Sequence, residues 1–218
     1  MNPLWEFDQT LFRAIHHDLH RDWLDPVFWV ITSTGLGWVQ IALILIVPLV
    51  IELRHELRRM SLGKAVLSCW SRPAFMVTPL IVTVAVSGLF FAQGVKRLIA
   101  DRDRPSVLDY AVPQEHIFTA SFPSGHTSTS FAIAFMLFFL TWKTDRAWIG
   151  RYGLLWAVLV GISRIYRGVH WPTDVLAGLC AGLLSSCIVF LLGKRFGWIP
   201  EPVNEPFTPD SKPSNLSL

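Results

Sequence analysis

Residues Trp148–Arg195 read WIGRYGLLWAVLVGISRIYRGVHWPTDVLAGLCAGLLSSCIVFLLGKR. The stretch holds two apolar runs, near 148–167 and 173–193, joined by a short turn at 168–172. At 1.5 Å rise per residue, about 20 helical residues reach roughly 30 Å, the thickness of a bilayer's hydrocarbon core. Two such runs around so short a turn make an antiparallel pair of membrane-spanning helices. Working outward, three more apolar stretches fall near 36–53, 74–98 and 126–142, the last of them short and polar at its start. The chain of 218 residues is 52% hydrophobic and only 16% charged, against about 25% charged for soluble domains. That excludes an ordinary soluble fold, and the apolar content excludes disorder. The odd cysteine count (Cys69, Cys180, Cys187) excludes a disulfide scaffold. The expected fold is therefore an all-α integral membrane bundle of five to six transmembrane helices.

The first 35 residues differ. Leu4, Leu11, Phe12 and Ile15 recur at helical spacing among Glu6, Asp8, Arg13, His16 and Asp18, which predicts an amphipathic helix lying in the membrane interface. A second apolar run, Val27–Thr32, is too short to span and reads as re-entrant or interfacial. The expected organisation is an interfacial region at 1–35, a transmembrane domain at 36–198 and a disordered tail at 199–218, rich in Pro, Ser and Asn.

Lys and Arg counts set the orientation. The links at 54–72 and 143–151 and the start of the tail are basic, and mark the cytoplasmic side of an inner membrane. The amino-terminal region, 99–125 and the turn at 168–172 then lie on the opposite side. That side nevertheless carries Lys96, Arg97, Arg102, Arg104, Arg164 and Arg167, so these cations have another purpose.

Three clusters converge there. Lys96–Pro105 (KRLIADRDRP) supplies cations at the exit of the second span; Arg suits a bidentate grip on phosphate and Lys a point charge. Ser121–Thr127 (SFPSGHT) opens the third span. In it Ser124 is a good helix N-cap, Gly125 allows an anion close to the backbone amides, and His126 sits where a ring nitrogen can donate a proton. Ser163–Asp174 (SRIYRGVHWPTD) joins the fourth and fifth spans. His170 and Asp174 are four apart, so the carboxylate can hold one ring nitrogen and leave the other free to attack. Ser163 and Arg164 reach the same anion. Cations, an anion nest and two histidines, one oriented by a carboxylate, are what phosphomonoester chemistry requires.

With those residues in place, the sequence resembles the type 2 phosphatidic acid phosphatase superfamily, which shares its site design with vanadium haloperoxidases. Pro-Ser-Gly-His is intact at 123–126, and Ser-Arg-x5-His-x3-Asp is intact as Ser163, Arg164, His170 and Asp174. The family's Lys-x6-Arg-Pro departs here: seven residues separate Lys96 from Arg104, and Arg97 would restore the spacing. One extra residue in a continuous helix turns Lys96 by about 100°, which a loop near Ala100 can absorb. The resemblance implies that His170 attacks phosphorus and becomes phosphohistidine, with Asp174 orienting it. His126 protonates the leaving oxygen and then activates water. Lys96, Arg104, Ser124, the Gly125 amide, Ser163 and Arg164 hold the phosphoryl oxygens. It implies no metal and no other cofactor.

A site beside apolar helices favours a lipid phosphate or diphosphate, with undecaprenyl diphosphate the first expectation. Phosphatidylglycerol phosphate or phosphatidic acid hydrolysis and lipid phosphotransfer use the same residues. A non-catalytic lipid carrier does not need an aligned nucleophile and acid. The basic residues form no stripe for nucleic acid. Small residues in the last span (Ala177, Gly178, Ala181, Gly182, Ser185, Ser186) suit close packing in a monomer or a homodimer.

Overall fold

The computed structural model describes residues 2–57, 74–98, 102–115, 117, 119–144 and 146–199. Among them there are helices and no strand. Chain entry is set by Asn2, whose side-chain oxygen accepts from the Leu4 amide at 3.0 Å, with Pro3 at the first helical position. Helix α1 (Pro3–Phe12) runs on through wider π-helical turns at Arg13–Asp18. Then come α2 (Asp25–Thr34), α3 (Gly37–Leu57) and α4 (Ala74–Ala85). From α4 the chain continues as a π-helical stretch, Val86–Gly94, into α5 (Val95–Leu98). The last three helices are α6 (Gly125–Thr141), α7 (Ala147–Tyr166) and α8 (Pro172–Arg195).

These helices fall where the five apolar stretches predict them. By length and composition, Val77–Leu98 and Pro172–Arg195 are each able to cross a membrane. A third candidate is the broken pair Asp22–Thr34 and Gly37–Val47, bent by 70°. Val27–Thr32 is thus the core of α2, and the chain turns sharply from it into α3. Gly35 stands at the bend because a Cβ there would lie 2.8 Å from Val160 Cγ1 and 3.1 Å from the His126 ring. The 199–218 tail, except Ile199, and Cys69, Arg58, Arg59, Lys64 and Arg72 of the basic link lie outside the described residues.

The bundle is centred on α6, which packs against both α7 and α8. Its inner face is unusually polar: Thr127, Ser128, Thr129 and Ser130 are buried. In a membrane such hydroxyls must bond across helices. Ser128 Oγ pairs with Ser87 Oγ at 2.6 Å, and Ser130 Oγ accepts from Gln40 Nε2 at 2.8 Å. Ser186 Oγ of α8 donates to the Ala132 carbonyl at 2.9 Å. Below this layer Ile44, Leu80, Val84, Ile133, Met136 and Val189 form the apolar core.

Gly178, Gly182 and Ser186 of α8 meet α6 within the chain. A Cβ on Gly182 would sit 2.7 Å from Ser128 O and 2.8 Å from Ala132 N, both backbone atoms that cannot move aside. Gly182→Ala is expected to destabilise the protein by about 1–3 kcal/mol, read as earlier thermal unfolding in detergent. Gly37→Ala, where the added Cβ meets nothing within 4 Å, is the contrast.

The amino-terminal segment docks on the bundle by a face that the apolar stripe does not mark. Its inward face is Asp8, Phe12 and His16, all buried, whereas Leu4 and Leu11 face outward. Phe12 stacks on His16 and lies 5.4 Å from Trp171. His16 Nε2 accepts from the Val112 amide at 3.0 Å, so its Nδ1–H donates to the Tyr166 carbonyl at 2.7 Å. The ring is thus a neutral staple between the amino-terminal segment, α7 and the 102–124 loop. Burial pushes its pKa below the ordinary 6.5.

Candidate active site

Because the spans alternate in direction, the end of α5, the start of α6, the end of α7 and the start of α8 share one layer. A cavity of about 520 Å³ opens there, lined by Lys96, Arg104, Gly125, His126, Arg164 and His170. Its deeper wall is apolar, with Ile41, Ile81, Val84, Leu89 and Ala92. Topology thus brings together six of the nine residues singled out by sequence around one space.

Asp174 stands behind His170. It occupies the third position of α8, where Oδ2 accepts from the Trp171 amide at 2.9 Å and closes the helix's first turn. Oδ2 also accepts from Ser121 Oγ at 2.5 Å and faces His170 Nδ1 at 3.4 Å, while Oδ1 accepts from Arg102 Nη1 at 2.6 Å. The His170 contact is long for a hydrogen bond. With Nδ1 turned to the carboxylate, Nε2 is the ring nitrogen left uncommitted. Burial outweighs Asp174 and the cations add to it, pushing the His170 pKa down to about 4. The ring is neutral at physiological pH.

Arg164 is 1% exposed, at the end of α7. Its Nη atoms grip both oxygens of Glu115 at 3.0 and 2.9 Å, and Nη1 also donates to Thr32 Oγ1 at 2.6 Å. Its Nε–H is buried with no partner among the described residues, a donor that an anion's oxygen would satisfy. Arg104 is committed differently. Nε donates to the Thr119 carbonyl at 2.8 Å, Nη1 to the Val169 carbonyl at 2.6 Å and Nη2 to the Ala120 carbonyl at 3.2 Å. It therefore clamps two loops together while its charge faces the cavity.

The altered spacing before Arg104 does not remove Lys96, which lines the cavity, whereas Arg97 is exposed. The π-helical turns at Val86–Gly94 lie just upstream. Each residue that such a turn adds rotates the following helix by about 100°, so the direction of Lys96 is set before the loop begins. Asp101 lies outside the described residues.

Ser124 and Ser163 are fully buried and are absent from the cavity lining. Ser163 Oγ donates to the Val160 carbonyl at 2.6 Å. Ser124 occupies the N-cap position of α6, yet its Oγ accepts from Thr127 Oγ1 at 2.9 Å instead of capping an amide. Trp171 does not shape the cavity either: it packs on Trp5 and Phe12 and donates Nε1–H to the Asp103 carbonyl.

Sequence reasoning passed over Glu115, which also accepts from Arg167 Nε at 2.8 Å. Although burial alone would raise it, the two guanidinium groups hold its pKa down at about 2. The signal was its sign, since it is an acid among six cations. Because its folded pKa is depressed, its contribution is full above about pH 4.5 and lost as pH falls toward 2. Glu115→Ala is expected to cost about 2–3 kcal/mol, less than a fully buried pair because Glu115 keeps 27% of its side chain exposed. The check is thermal unfolding at neutral pH.

Known proteins bear on this geometry. Bacitracin transport permease protein BcrC of Bacillus licheniformis is 39% identical over 107 residues, 46% of this chain and 50% of that protein. An undecaprenyl-diphosphatase of Sulfolobus acidocaldarius is 46% identical over 74 residues, 33% of this chain and 31% of that protein. The chain thus spans half the length of the first relative and about a third of the second. The crystal structure of a transmembrane PAP2 type phosphatidylglycerolphosphate phosphatase from Bacillus subtilis superposes with a TM-score of 0.66. It is 27% identical, covering 89% of this chain and 88% of that one. The shared helical architecture makes this chain an integral membrane protein. The profile of the PAP2 superfamily matches residues 76–198. A match over more than half of the sequence, centred on the residues that line the cavity, places this chain within the PAP2 superfamily.

Proposed function

We propose that the protein is an integral membrane lipid phosphatase that works through a phosphohistidine on His170. The observation that carries this is the cavity itself. Two histidines and three cations meet there, with the Arg164 Nε–H buried and unpartnered, above an apolar wall.

His170 Nε2 attacks phosphorus and the bond to the leaving oxygen breaks, while His126, which takes up a proton as the phosphate's negative charge enters the cavity, delivers that proton to the leaving oxygen. Asp174 accepts from Nδ1–H and offsets the positive charge that forms on the ring. Lys96, Arg104, Arg164 and the Gly125 amide neutralise the phosphoryl oxygens. His126, now neutral, takes a proton from water, whose oxygen attacks the phosphohistidine and releases inorganic phosphate. Ser124 and Ser163 support this cradle from behind.

The apolar wall suits a chain attached to the phosphate. The similarity to the Sulfolobus undecaprenyl-diphosphatase favours undecaprenyl diphosphate, with phosphatidylglycerol phosphate second on the likeness to the Bacillus subtilis structure. In this reading five helices span an inner membrane, α1 rests in the interface, and the cavity opens on the non-cytoplasmic side.

The test is phosphate release by purified protein in detergent with EDTA. The substrates are undecaprenyl diphosphate, phosphatidylglycerol phosphate, phosphatidic acid and a short soluble ester. The expected result is EDTA-resistant release, fastest on a lipid, with an acid-labile phosphoenzyme trapped by rapid quench. No release on any substrate without an acceptor lipid would overturn the hydrolase reading. Because the folded pKa of His170 lies near 4, the acid limb of kcat/KM belonging to the nucleophile is expected below about pH 5, not near 6.5.

A further inference from the structure

Asp8 lies far from the cavity in sequence and does not line it, yet it is 1% exposed on a helix whose outer face is open. Its carboxylate has three partners. Oδ1 accepts from the Thr173 amide at 2.8 Å, and Oδ2 accepts from Thr173 Oγ1 at 2.6 Å and from Arg102 Nη2. The other terminal nitrogen of Arg102 donates to Asp174 Oδ1 at 2.6 Å. One guanidinium therefore bridges two buried carboxylates, one on α1 and one on α8. The second of them faces His170.

Two roles are separable in this arrangement. The Thr173 amide is one of the free donors at the start of α8, and Asp8 satisfies it as a cap would. An uncharged acceptor serves that purpose equally well. The Arg102 contact is different, because it depends on charge. A planar guanidinium held at both ends has a fixed plane and position. Released from Asp8, Arg102 is free to turn fully onto Asp174 and make a two-pronged pair with it. Asp174 would then be drawn toward Arg102, and its oxygens would be poorer acceptors for the Nδ1–H of His170.

We propose that Asp8 is a positioning residue for the phosphoryl transfer: through Arg102 it fixes the carboxylate that orients His170. The inference rests on the reading of His170 and Asp174 as the nucleophile and its partner. It adds that the first helix of the chain is part of the catalytic framework and not only a membrane rest.

Asp8→Asn keeps an oxygen for the Thr173 amide and removes the charge that Arg102 needs. The expected result is a fall in kcat of about tenfold with KM within about twofold, since a small misplacement near the reacting group is costly and the phosphate cradle is untouched. Arg102→Gln, which breaks the same link from its other end and leaves Asp8 capping Thr173, is expected to give a similar fall. In the Arg102→Gln background, Asp8→Asn is expected to add nothing further, because both act along one path. Glu6→Gln, an exposed acid on the same helix, is expected to leave kcat unchanged. Wild-type kcat in both single variants would overturn the proposal. So would losses that multiply in the double variant, or a rise in KM at constant kcat. If Asp8→Asn fails to fold, Arg102→Gln alone decides: unchanged kcat there overturns the link. A wild type that forms no phosphoenzyme would instead overturn the mechanistic reading beneath it, so the two failures are distinguishable.

Discussion

His170→Asn is expected to lower kcat by a factor of about 10⁵ to 10⁶, the range in which nucleophile replacements in acyl-transfer enzymes fall. Asparagine is close in size and polar, so the cavity does not collapse. Lys96, Arg104, Arg164 and His126 still line the cavity. KM is therefore expected to change by only about threefold or less, because those groups grip the ground state as well as the transition state. What disappears is the uncommitted ring nitrogen that a buried carboxylate aligns. The phosphoenzyme is expected to vanish from rapid-quench samples in parallel with phosphate release. Retention of more than about 1% of wild-type kcat would mean that water attacks directly, with His126 as its base.

Asp174→Asn is expected to be nearly as severe, at about 10⁴ in kcat, the size of the loss when an orienting carboxylate becomes an amide in a serine protease triad. The reason can be counted in donors. Ser121 Oγ, the Trp171 amide, Arg102 Nη1 and His170 Nδ1 all point at this one carboxylate. An asparagine offers one accepting oxygen. Its NH₂ must then face a donor, either Arg102 or the Ser121–Trp171–His170 side. If it faces the latter, His170 is pushed toward the tautomer that carries its proton on Nε2, which cannot attack. The buried mismatch also destabilises the fold by about 1–3 kcal/mol. Stopped-flow rates on folded protein, paired with thermal unfolding, separate the two effects. A loss in stability with kcat intact would show that Asp174 only closes the first turn of α8.

Much of this architecture is written in local sequence. Apolar length placed the five long helical segments, and the up-and-down order of the hairpins gathered four helix ends without any further information. The paired motifs around His126 and His170 needed only spacing. What escaped is what depends on contacts between distant segments. The stripe Leu4, Leu11, Phe12, Ile15 marks α1 as an amphipathic, interfacial helix, but it does not reveal that the face that docks carries Asp8 and His16, whose polar partners lie on α7, α8 and the loop. The π-helical turns at Val86–Gly94 are invisible to a 3.6-residue count, and with them the direction of Lys96. Ser124 and Ser163 read as phosphate ligands by position; their neighbours within the protein could not be read there, since Ser124 Oγ accepts from Thr127 Oγ1 and Ser163 Oγ donates to the Val160 carbonyl. Glu115 sits in a loop with no periodicity, so only the excess of cations around it marked its place.

The tie between Asp8 and Thr173 has a consequence for biosynthesis. The two residues are 165 positions apart, so α1 must wait for the start of α8 to be made before it can dock. At about 5–20 residues per second, that wait is on the order of ten seconds or more. During it, a half-inserted chain lacks both His170 and the brace that aligns it. A product stalled before Thr173 therefore has α1 undocked, and the layer around His170 assembles only once the start of α8 arrives.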